Sequence, residues 1–112
     1  MPGARDDYLL RMIQQVAAIL RHLISRVKEG APSDEIVRDA GAAIGELLGP
    51  QRTMLEMLDA RSAAALVGDP EKLELWIALL RMQAEASGTG GDTAKAAKLL
   101  ARAETLNATR LG

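Results

Sequence analysis

Between Arg5 and Glu29 the chain reads RDDYLLRMIQQVAAILRHLISRVKE. Successive residues of an α-helix lie about 100° apart. On that wheel Leu9, Leu10, Met12, Ile13, Val16, Ala17, Ile19, Leu20, Leu23, Ile24 and Val27 cover half the circumference. Arg11, Gln14, Gln15, Arg21, His22, Ser25, Arg26 and Lys28 fill the other half. A helix resting on one surface needs an apolar stripe of only about 100°. The surplus predicts that this first helix, about 6–29, touches two layers: later helices of its own chain and another copy of itself. Two rows compete for the self-associating face. One is Leu9, Met12, Val16, Ile19 and Leu23; the other is Leu10, Ile13, Ala17, Leu20 and Ile24.

Punctuation residues place the remaining elements. Asp6 and Asp7 suit the start of the first helix, and Gly30, Ala31 and Pro32 end it, since glycine takes a left-handed cap and proline stops continuation. Ser33 reads as the N-cap of a second helix, about 34–48, with Asp34 and Glu35 complementing the dipole of its first turn. Ile36, Ala40, Ile44 and Leu47 form its inward stripe, widened by Val37, Gly41 and Leu48. Gly41 and Gly45 each cost about 1 kcal/mol of helix propensity relative to alanine. Either another helix comes close there, or these are tolerated surface glycines.

Leu48-Gly49-Pro50 is a stop, and short helical pieces follow over about 51–67, the second capped by Asp59. Asp69-Pro70 is a start signal, with Asp as cap and Pro at the first helical position, where its missing N–H is not needed. Leu73, Trp76, Ile77, Leu80 and Ala84 then share one face to about Ala86. Ser87-Gly88-Thr89-Gly90-Gly91 reads as a flexible connector. Asp92 or Thr93 caps the last helix, with Ala96, Leu99, Leu100, Ala103 and Leu106 inward. Strand alternation of useful length is missing throughout. The expected fold is therefore all-α: one domain over 1–112, a compact helical bundle of about four main helices plus short helical pieces.

Composition narrows the function classes. The 112 residues are 48% hydrophobic, enough for a core without metal or disulfide staples. With no Phe, one Trp and one Tyr, that core must be aliphatic and alanine-rich. Fourteen basic against fifteen acidic residues, without a like-charge block, do not point to nucleic acid. Aromatic platforms for single strands are nearly absent. Zero cysteines removes thiolate chemistry and cysteine metal sites, and permits a reducing cytoplasm. The opening MPGARDDY lacks the pattern of a signal peptide, and Arg11, Arg21 and Arg26 interrupt the best apolar run. The expectation is a soluble cytoplasmic protein. The basic face of the first helix would suit a membrane surface, but a core helix with a solvated face accounts for it more simply.

Catalytic chemistry finds little support. The single histidine, His22, falls on the polar half of the first helix, where it reads as a solvated residue. The chain has no HExxH, no G-x-S-x-G and no EF-hand loop. Gly88, Gly90 and Gly91 imitate a phosphate turn, yet they follow a helix and lack the P-loop lysine. Without a Glu-x-x-His pair, a di-metal carboxylate bundle fails. No catalytic residue, cofactor or metal ligand is assigned, and an enzyme is not expected. What remains is binding.

Residues 77–110 resemble one unit of a tetratricopeptide repeat. Aligned at Gly91, Ala84 falls on the small site of the first helix, and Ala96, Leu100 and Ala103 fall on the small, large and small sites of the second. Ser87 and Gln83 depart from the pattern, and a repeat array needs about three units for a continuous core. The resemblance implies a groove side bearing Ala78, Arg81 and Glu85, where Arg81 would meet an acidic peptide group. The plainer reading is a surface Arg81–Glu85 pair four residues apart. The whole chain also resembles a bacterial all-helical family of unknown function, through the opening DDYLLRMIQQVAAIL and a second helix ending LLG. That resemblance implies fold and bacterial origin, but no activity. The expected function is a helical protein-interaction or structural module, homodimeric through its first helix. A peptide-binding adaptor using the hairpin at about 70–108 is the alternative, and a small-ligand or lipid pocket ranks behind both.

Overall fold

Local signals explain most helix boundaries in the computed structural model, which describes residues 4–110. Helix α1 spans Ala4–Lys28. It closes in a Schellman turn: Gly30 takes φ 84°, its N–H reaches Val27 O, and Ala31 N–H reaches Arg26 O. Helix α2 spans Ser33–Leu48. Here the expectation fails in detail, because Pro32, not Ser33, is the N-cap and no side chain caps the helix. The Pro32 carbonyl accepts from both Glu35 and Ile36, which draws Ser33 into the first turn. Gly49 ends α2 at φ 63°, and a 3-10 turn over Gly49–Gln51 leads into α3, Arg52–Met57.

The next three helices start on aspartate. Asp59, Asp69 and Asp92 accept from the N–H of Ser62, Lys72 and Lys95, opening α4 (Ala60–Val67), α5 (Pro70–Thr89) and α6 (Thr93–Thr109). Helix α5 runs through Ser87-Gly88-Thr89, which the composition assigned to a connector. Packing outweighs propensity there: Ser87 is buried, and Gly88 faces Ala96 closely enough that a Cβ would touch it at 3.7 Å. The reversal waits for Gly91, at φ 94°.

The fold is all-α, and the described residues form four main helices (α1, α2, α5, α6) and the short α3 and α4. Helices α2 and α5 form the centre. Helix α1 lies against both on one side, α6 covers α5 on the other, and α4 packs on α6. Ile36, Ile44 and Leu47 of α2, Ile77 and Leu79 of α5, Leu55 of α3 and Leu106 of α6 belong to one core; none is more than 1% exposed. Burial of each such side chain contributes about 1.5–3 kcal/mol. Trp76 is buried with them. Leu100, expected inside, is exposed, because Leu99, Ala103 and Leu106 define the inward face of α6.

The two glycines of α2 make room for long polar side chains rather than for a helix backbone. Gln83 of α5 crosses Gly41 and donates Nε2 to Val37 O at 3.0 Å; a Cβ on Gly41 would lie 3.1 Å from that nitrogen. Arg52 lies over Gly45 and donates Nη1 to Gly41 O at 2.9 Å. Arg26, placed by the wheel on the solvated half of α1, is instead a clamp. Its guanidinium pairs with Glu35 at 3.1 Å and Asp39 at 2.7 Å, fastening the end of α1 to the start of α2. The hydrogen bonds it donates to the Glu35 and Asp39 carboxylates push its pKa further up.

Candidate interaction groove

The wide apolar arc of α1 is divided by its neighbours. Val16 (0% exposed) and Leu23 (2%) enter the core, Met12 and Ile19 pack against it, and Leu9 is half-buried. One of the two rows considered for self-association is thus engaged in part within its own chain. Val16 and Leu23 are spent in the core of their own chain, whereas Leu9, Met12 and Ile19 keep part of their surface. The neighbouring row is also used in part. Ile13 is buried, Ala17 and Leu20 are half-buried, and Leu10 (52% exposed) and Ile24 (41%) stand in solvent.

Val27 shares the angular position of Leu9 on the helix wheel, yet it is 43% exposed. The cause is a groove of about 570 Å³ at the end of α1. Ile24 and Val27 form one wall, Met82 and Ala86 of α5 the other, and Ala31 and Ile36 line it between them. Ala31 and Ala86 are too short to fill the space opposite Val27. Lys28 on the α1 side and Glu85 on the α5 side bring opposite charges to the lining. This geometry offers apolar contact with a sparse polar rim, the usual composition of a surface that receives a partner side chain.

The residues proposed for peptide binding are not assembled into one site. Arg81 and Glu85 are both exposed on α5, but only Glu85 lines the groove. The ion pairs among the described residues do not include Arg81–Glu85, so the plain surface pair is not formed either. His22 is exposed. Among the described residues no three His, Cys, Asp or Glu side chains gather as a metal site, and no helix is long and apolar enough to cross a membrane.

The sequence reading missed Met82, Ala86 and the Ala31–Ile36 lining. One signal was available for Val27, which extends the series 10, 13, 17, 20, 24 by a further step of three. Comparison of the chain with protein-family models, with curated proteins and with solved structures gave no match.

Proposed function

We propose that this chain is a helical protein-interaction module that self-associates through the outward face of α1. The observation that carries the reading is the exposure of Leu10, Ile24 and Val27 on one helix, the last two walling an unfilled apolar groove. A contiguous apolar patch such as the one Ile24 and Val27 form with the groove marks an interaction site when it is left uncovered. The reading takes the module as a cytoplasmic binding protein and assigns it no catalytic step. Light scattering coupled to size exclusion tests it over a range of protein concentrations. Twice the mass of one chain, falling toward one on dilution, is expected. A single-chain mass at every concentration ends the proposal.

A second reading, a peptide adaptor built on α5 and α6, draws on Arg81, which is exposed and lacks an acidic partner among the described residues. On that reading Arg81→Glu reduces capture of a binding peptide, and unchanged capture removes the site.

A further inference from the structure

We infer that the second copy lies antiparallel on α1, so that each copy's Leu10 seats beside Val27 in the other's groove. This rests on the self-association proposed above and specifies its geometry. Positions 10, 13, 17, 20, 24 and 27 alternate steps of three and four, the spacing of a two-helix seam. Leu10 and Val27 are 17 residues apart in number, about 26 Å along the helix axis at 1.5 Å per residue. A two-fold axis crossing the seam between Ala17 and Leu20 brings Leu10 over Val27 of the second copy and sets Ile24 over the small remnant of Ile13 surface (6% exposed) that its own chain leaves uncovered. The same operation repeats both contacts in reverse, as an isologous interface requires. One protruding leucine and one unfilled groove are thereby satisfied twice by a single symmetry element. Ala17, the smallest residue of the row, falls at the axis, where the helices come closest.

Charge selects the same orientation. Asp7, Gln14, Arg21 and Lys28 recur every seven residues along the solvent edge of the seam, and all four are exposed. Antiparallel pairing sets Asp7 opposite Lys28 of the second copy and Gln14 opposite its Arg21, with no like charges opposed. In a parallel pair this edge faces the row containing Leu9, Val16 and Leu23, which is turned toward the core. Lys28 then meets no acid, Leu10 meets Leu10, and the groove stays open. Exposed ion pairs of this sort add little affinity, but they fix orientation.

The chain has no cysteine, so single cysteines report the geometry directly. Leu10→Cys and Val27→Cys variants, each at an exposed position, are mixed and treated with a short bismaleimide. The mixture is expected to yield a cross-linked pair joining the two variants, and each variant alone is expected to stay largely unlinked. A Leu10→Cys sample that cross-links to itself as well as the mixture does overturns the antiparallel arrangement. So does a mixture that stays unlinked while light scattering shows the unsubstituted chain as a dimer. A monomer in light scattering overturns self-association itself, so the two failures are distinguishable. As a second measurement, Asp7→Lys and Lys28→Asp are each expected to weaken the dimer about fivefold, and the double swap to restore it within about twofold. Failure of the double swap to restore binding also overturns the arrangement.

Discussion

Replacing Arg102 with alanine removes one side chain that fastens three elements together. Arg102 projects from α6, donates Nη2 to Leu55 O in α3 at 2.9 Å, and holds its guanidinium carbon 5.6 Å from the centroid of the Trp76 ring in α5. It has no carboxylate partner among the ion pairs of the described residues, so its worth does not depend on a salt bridge. A hydrogen bond from a charged donor contributes about 1.5–3 kcal/mol when one end is shielded from water. A cation over an aromatic face adds about 0.5–1 kcal/mol. Arg102→Ala is therefore expected to cost about 2–4 kcal/mol, a large share of the roughly 5–15 kcal/mol that holds a domain folded. At about 4 °C per kcal/mol for a chain of this size, the melting temperature falls by roughly 8–16 °C.

Arg102→Lys keeps a cation near the ring but lacks the planar fork that serves ring and carbonyl together, and it is expected to recover about half of the loss. Urea unfolding followed by the emission of Trp76, the chain's one tryptophan and fully buried, reads both variants, with circular dichroism as a second probe. An alanine variant within about 0.5 kcal/mol of the parent would refute the reasoning, since that is the scale of an ordinary surface substitution.

Alanine at Gly45 gains about 1 kcal/mol of helix propensity, but its Cβ would lie 3.0 Å from Arg52 Nη1, so no net stabilisation is expected. In an Arg52→Ala background the same change is expected to stabilise by about 0.5–1 kcal/mol, and an equal effect in both backgrounds counts against the steric account. Hydrogen bonding by Ser62 holds the Asp59 carboxyl below its ordinary value of 3.8. Its folded-state pKa is depressed, so the α4 cap contributes above the unfolded value and is lost as pH falls through the folded one. Asp59→Asn should flatten that part of the acid-unfolding curve, and an unchanged curve would remove the cap from the account. Arg26→Met should lower the melting temperature and make it less sensitive to salt, because it cuts the pairs with Glu35 and Asp39; equal salt responses would show that those pairs do not act in solution.

Features decided within one turn were the ones legible in the sequence. The aspartate caps at positions 59, 69 and 92 each act on an N–H three residues on, so no distant residue has a vote. The cap expected at Ser33 failed within the same range, to a competing carbonyl on Pro32. The apolar arc of α1 was visible, but not its division. Rows beginning at Leu9 and Leu10 are one residue apart and equally apolar, and the choice is made by where α2 and α5 lie. The Gln83–Val37 and Arg102–Leu55 bonds join residues 46 and 47 positions apart and leave no periodic trace. The groove was the least legible feature, for it depends on short side chains at position 31, in the turn after α1, and position 86, on α5, lining one space.

The outward face of α1 as an association surface is the claim on which the rest depends, and a charge placed on it is the sharpest test. Ile24→Glu alters an exposed helical position beside the groove and should leave helix content and unfolding nearly unchanged. Light scattering is expected to show the parent chain as a dimer and the Ile24→Glu chain as a monomer at the same concentration. A parent that is monomeric throughout, or a variant that remains fully dimeric, would contradict the account.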